Sequence, residues 1–177
     1  MNSEEEKKEI QEFVDSLKIA DDVTAAELRT ALTGAIKDRA IIFYYIWKKI
    51  KELHPEIDAD RIMREASWDF GMIKGAQIAR KIGGTDKSPK EVMKGQSSKG
   101  GLLVWRSEIA EFNEEKAVKY LYNCPHIEAF KELGATPEEI KALCRDMLCW
   151  GDYGMFSPFP DAKLEWPTTI ADGEGKC

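Results

Sequence analysis

The sequence predicts an α+β domain: N-terminal helices packed on a small, mostly antiparallel sheet, with two short helices inserted between its strands. Three observations lead there. Helical periodicity fills the first half of the chain, strand-forming runs begin only after residue 101, and two capped helical segments follow between residues 125 and 150. The 177 residues suit a single domain, and a hydrophobic content of 43% suffices for a core. Within that domain, 1–83 form a helical layer, 84–101 a flexible loop, and 102–177 an α+β part that carries every cysteine.

Residues 3–18 read as a charged helix with Ile10, Phe13, Val14 and Leu17 as its apolar stripe. Thr24 and Glu27 form a capping box for the next helix, whose Ile36, Ala40, Phe43, Trp47 and Ile50 share one face, and Pro55 ends it. A third helix runs from about Ala59 to Ile82 and stops at Gly83-Gly84. Its Gly71, Gly75 and Ala79 stand four apart, a ridge that suits close helix–helix contact better than a ligand. The glycines and serines of 84–101 read as a loop or lid. Leu102–Phe112 and Ala117–Tyr122 then read as a hairpin turning at 113–116. Cys124-Pro125 opens a helix that closes at Gly134, and Thr136-Pro137-Glu138-Glu139 caps another, with Gly151 and Gly154 breaking it. Lys163–Ile170 is expected to return as an edge strand, since Pro167 removes one donor.

Composition narrows the function. With 32 Asp plus Glu against 26 Lys plus Arg, the chain lacks the basic surface that nucleic acid or an anionic membrane requires. Its longest apolar run, Ala40 to Trp47, is far too short to cross a bilayer. Met1–Lys8 is charged with no hydrophobic segment behind it, so a signal peptide is not expected and the chain is placed in the cytoplasm. In that reducing compartment Cys124, Cys144, Cys149 and Cys177 are thiols or metal ligands rather than disulfides.

Among these, Cys124 stands out. Pro125 at the first helical position makes Cys124 the N-cap, where free amides and the helix dipole favour a thiolate. A buried structural thiol is the equal alternative. His126 reads as exposed, and His54 as a cation at a helix end. Cys144 and Cys149 are five apart, a rotation of about 140° on an α-helix, so they should not share a face. Gly151 can turn the chain and bring Asp152 back toward Cys149.

At these residues the chain resembles the L-2-amino-thiazoline-4-carboxylic acid hydrolase family. The resemblance rests on Asn123-Cys124-Pro125, on Lys131-Glu132-Leu133-Gly134 closing that helix, and on Cys149 followed three residues later by Asp152. It rests also on Pro167–Glu174 followed by Cys177, and upstream on Asp69-Phe70-Gly71 with Gly75 and Ala79. It spans most of 35–177 and is strongest over 105–177. Glu174 stands where the family usually has Asp, and the chain stops at Cys177, where the family continues into a short strand, so a sheet contact is expected to change.

The resemblance implies a hydrolase acting on C–N bonds of cyclic amidines, opening 2-amino-thiazoline-4-carboxylate to a carbamoyl-cysteine. The residues it points to as catalytic are Cys124, Cys149, Asp152 and Cys177. Either Cys124 attacks as a thiolate while Asp152 handles protons, or Cys124, Cys149 and Cys177 hold zinc or another soft divalent metal that activates water. No other cofactor is expected. Arg80 or Arg106 would meet the substrate carboxylate. The expected partner is therefore a small carboxylate-bearing molecule, with a homodimer as the one assembly considered, and neither nucleic acid nor membrane. The competing class is a non-catalytic sensor or carrier whose cysteines bind a small molecule or metal.

Overall fold

A computed structural model describes residue 12 and residues 23–177. The helix expected over 3–18 therefore falls outside the described residues except for Glu12. Among the described residues no helix is long and apolar enough to cross a membrane.

Helix α1 (Ala25–Leu53) starts at the capping box of Thr24 and Glu27, and α2 (Ala59–Ile82) ends at Gly83 in the left-handed region, φ 82°. They lie side by side and antiparallel: Trp47 Nε1 donates to Asp60 Oδ1 at 2.6 Å, and the Arg39 guanidinium sits over the Phe70 ring at 5.8 Å. The 84–101 segment holds two short helices, α3 (Pro89–Gln96) and α4 (Lys99–Trp105). Ser88 caps α3 in a box with Glu91, with Pro89 at the first position, and Ser98 caps α4. These are the same helix-start signals that mark the other helices, here among glycines that suggested a loop.

α4 also takes the first residues of the expected hairpin run. Arg106, at φ 47°, turns the chain, so β1 spans Ser107–Phe112 and pairs antiparallel with β2, Ala117–Leu121. Asn113 Oδ1 accepts from the Glu115 and Lys116 amides and shapes the turn. The class is α+β with a small antiparallel sheet, formed among the described residues by β1 and β2. The edge strand expected over Lys163–Ile170 does not form. That segment runs without regular structure into a 3₁₀ turn at Ile170–Asp172. Sheet pairing resumes only at the last residue, where Cys177 and Leu121 exchange both backbone hydrogen bonds at 3.0 and 3.1 Å.

Between β2 and that return come α5 (Pro125–Glu132), α6 (Pro137–Lys141), a π-helix (Ala142–Leu148) and α7 (Cys149–Phe156). Gly151 and Gly154 do not break this run. They lie inside α7, pressed against α2, where the missing side chains are required: a Cβ on Gly154 would sit 2.4 Å from the Trp68 carbonyl oxygen, and one on Gly71 would sit 2.0 Å from that of Gly151. The glycine ridge of α2 is thus a helix–helix seam. The main core lies among α1, α2, α5, α6 and the π-helix around Phe130, Leu143 and Met147, while Val92 and Phe159 join Ile78 in a second cluster. The hairpin meets the helical layer chiefly through α3 and α4.

Candidate active site

The chain returns twice to one end of the hairpin, and a third cysteine lies within electrostatic reach of both returns. Cys124 leaves β2 and caps α5, Cys149 opens α7, and Cys177 is held against Leu121 at the end of β2. The Cys177 sulfur accepts from the Ile170 amide at 3.3 Å. Ile170 belongs to the 3₁₀ turn, which is fixed in turn by Asp172: its carboxylate accepts from the Thr169 hydroxyl at 2.8 Å and pairs with Lys141 at 3.3 Å and Arg145 at 3.6 Å. Cys124, Cys149 and Cys177 are close enough that each raises, or is raised by, another's ionisation, and Cys144 feels all three.

Helix capping does not turn Cys124 into a thiolate. Burial pushes its thiol up to about 12, and the pull of the Ile127 and His126 amides is too weak to offset it. Its sulfur makes no capping hydrogen bond. Burial likewise raises Cys149 to about 12, with Asp152 adding to the effect, and raises Cys144 and Cys177. All four are free thiols. His126 is not a free surface residue: its ring stacks on Trp105 at 5.4 Å, and burial followed by the Arg39 charge lowers it to about 4, so it stays neutral near pH 7. His54 stands exposed beside Glu56 at 3.3 Å.

Asp152 lies three residues after Cys149 on the same helical face, so the Cys-x-x-Asp step is made by α7 itself and not by a turn at Gly151. Its carboxyl is crowded by protein atoms, and desolvation raises it to about 7 against the opposing pull of Lys119. It influences Cys149 and Cys177. A carboxyl whose pKa burial raises toward neutrality suits acid–base catalysis.

The alternative in which Cys124, Cys149 and Cys177 hold zinc does not fit. Among the described residues no three His, Cys, Asp or Glu side chains are grouped as a ligand set. Arg80 and Arg106 are exposed. The cations that the site feels are Arg145, acting on Cys149 and Cys177, and Lys119, acting on Asp152.

Lys119 is the residue that sequence reasoning passed over. It sits in the middle of β2, part-buried, where its amine donates to Gln96 Oε1 and to Ser97 Oγ at 3.3 Å, and burial lowers its pKa. A charge between Val118 and Tyr120, in a strand whose residues are all half-buried, was the available signal. The π-helix was equally hidden, because no residue pattern distinguishes it from α-helix.

No characterised protein and no solved structure matches the chain significantly. Residues 35–177 do match a family described as L-2-amino-thiazoline-4-carboxylic acid hydrolase, a span that includes all four cysteines, Asp152 and Lys119. The chain belongs to the L-2-amino-thiazoline-4-carboxylic acid hydrolase family.

Proposed function

We propose that this protein hydrolyses a cyclic isothiourea or amidine such as 2-amino-thiazoline-4-carboxylate, with Asp152 moving the proton. What supports the reading is the place of Asp152 one turn after Cys149 on α7, where burial raises its carboxyl to about 7. As carboxylate, Asp152 takes a proton from water while the water oxygen bonds to the ring carbon between sulfur and nitrogen. As carboxylic acid, it returns that proton to the ring nitrogen. As the adduct collapses, its hydroxyl proton passes to the departing ring atom, the C–N or C–S ring bond at that carbon breaks as the C=O forms, and a carbamoyl-cysteine is left. One group thus acts as base and then as acid, as a pKa near the working pH allows.

The thiols line this reaction as neutral groups. Burial holds the Cys124 thiol, pushed up to about 12, in its protonated form at pH 7. Attack by sulfur would therefore need its proton removed in the same step, and Asp152 stands nearer electrostatically to Cys149 and Cys177 than to Cys124.

The test is a panel of 2-amino-thiazoline and related amidine rings incubated with the purified protein, with products followed by mass spectrometry. Uptake of one water by the carboxylated thiazoline, lost in Asp152→Asn, is the expected result. Saturable binding of the ring without any product would replace this reading with the sensor.

A further inference from the structure

A cavity of about 250 Å³ opens between Lys74, Ile78 and Lys81 of α2, Gly95 and Gln96 of α3, and Met155 of α7. Two of its walls lead inward. Met155 stands one turn beyond Asp152, and Cys149 one turn before it, on α7. Gln96 is the side chain whose Oε1 accepts from Lys119. Gln96 therefore separates the cavity from a part-buried ammonium that faces Asp152.

The surroundings of that ammonium are unusual. A cation drawn into protein is ordinarily paired with an anion. Among the described residues, Lys119 has two hydrogen-bond partners, the Gln96 carbonyl and the Ser97 hydroxyl, and both are neutral. Asp152 acts on it only through space, and burial favours its uncharged form. Lys74 and Lys81 at the cavity wall add positive charge along the approach; Lys81 is tied to the Gly95 carbonyl at 2.9 Å and so is fixed there.

We propose that Lys119 is an anion subsite for a small ring-borne carboxylate, reached through this cavity and screened by Gln96 until the ligand displaces it. This inference rests on the hydrolase reading for the identity of the ring, and it assigns the carboxylate to Lys119 instead of Arg80 or Arg106. Carboxylate on Lys119 brings the ring toward Asp152, with which Lys119 interacts electrostatically. The junction of α3 and α4, which carries Gln96 and Ser97, then moves with ligand binding.

The experiment is calorimetric titration with 2-aminothiazole-4-carboxylate, an aromatic ring that resists hydrolysis, and with 2-aminothiazole, which lacks the carboxylate. Wild-type protein should favour the carboxylate. Lys119→Gln should weaken that ligand by at least about 30-fold and leave the uncharged ring unchanged, as expected when one member of a desolvated charge pair is removed. Lys119→Arg should retain most of the affinity, and Gln96→Ala should bind at least as tightly as wild type. Absence of binding by wild type, equal loss of both rings in a folded Lys119→Gln, or carboxylate affinity unchanged in Lys119→Gln would each overturn the subsite. Turnover of the thiazoline with a wild-type KM in Lys119→Gln would leave the hydrolase reading and remove the subsite. Lys119-dependent binding without turnover would do the reverse.

Discussion

The backbone amide of Cys149 donates to the carbonyl of Cys144, five residues earlier, at the end of the π-helix. In an α-helix those two residues would diverge by about 140°. The wider π turn narrows that divergence, and ionisation of Cys149 would raise the Cys144 thiol further. It also sets the rotation at which α7 begins, and with it the direction of Asp152. π turns are frequent at functional sites, and this one carries Arg145, which acts on Cys149 and Cys177.

The glycine seam that holds α7 against α2 should be intolerant of a single methyl group. Gly71→Ala places a Cβ 2.0 Å from the Gly151 carbonyl oxygen, and a backbone atom cannot rotate away. The expected loss is about 1–3 kcal/mol of stability, read by denaturant unfolding. Activity should fall further than stability explains, because the displaced helix carries Cys149 and Asp152. Wild-type stability in Gly71→Ala would show that the two helices are not this close.

Alkylation should be slow at every cysteine. Burial raises Cys124 and Cys149 to about 12 and raises Cys144 and Cys177 as well. Peptide mapping after iodoacetamide treatment at pH 8 should find each labelled more slowly than a free thiol. Rapid labelling of Cys124 at pH 7 would restore the helix-dipole thiolate that its Cys-Pro position suggested.

The contribution of Asp152 to stability should fall as pH rises from about 4 to about 7, while His126, lowered to about 4, contributes in the opposite sense. Over this window the folded protein keeps the Asp152 proton that the unfolded chain has released, so the folded state binds more protons. The slope from this group is at most about 1.4 kcal/mol per pH unit, and it should disappear in Asp152→Asn. Chemical denaturation at several pH values measures it. Equal slopes in the two proteins would place the Asp152 carboxyl at its ordinary value.

Local signals made the helices legible. Thr24 with Glu27 and Thr136 with Glu139 both form their capping boxes, and Gly83 and Gly134 both end helices in the left-handed region. The same chemistry was present at Ser88-Pro89 and Ser98, but the glycines around them suggested a loop, and α3 and α4 went unread. Longer-range effects were not legible. Cys124 occupies the N-cap that its sequence predicts, yet whether the dipole or desolvation decides its charge depends on what packs over it. Lys119 becomes part of the site only because the 96–97 junction folds back onto β2.

Turnover should depend on one ionisation near pH 7. The initial rate of ring opening should follow the Asp152 charge state, and Asp152→Asn should lower kcat by about 10²–10⁴-fold. Lys119→Gln should raise KM more than it lowers kcat. A pH profile flat from 5 to 9, or an Asp152→Asn variant with wild-type kcat, would assign the proton transfer to another group.

Everything proposed for the reaction depends on Asp152 carrying a proton close to neutrality, and that can be observed without substrate. Carbon-13 NMR of protein labelled at the aspartate side-chain carboxyls, with Asp152→Asn to identify the resonance, gives its titration directly. A midpoint near 7 is the expected result. A midpoint near 4, the ordinary carboxylate range, would mean that Asp152 is always charged at working pH, and the mechanism built on it would be wrong.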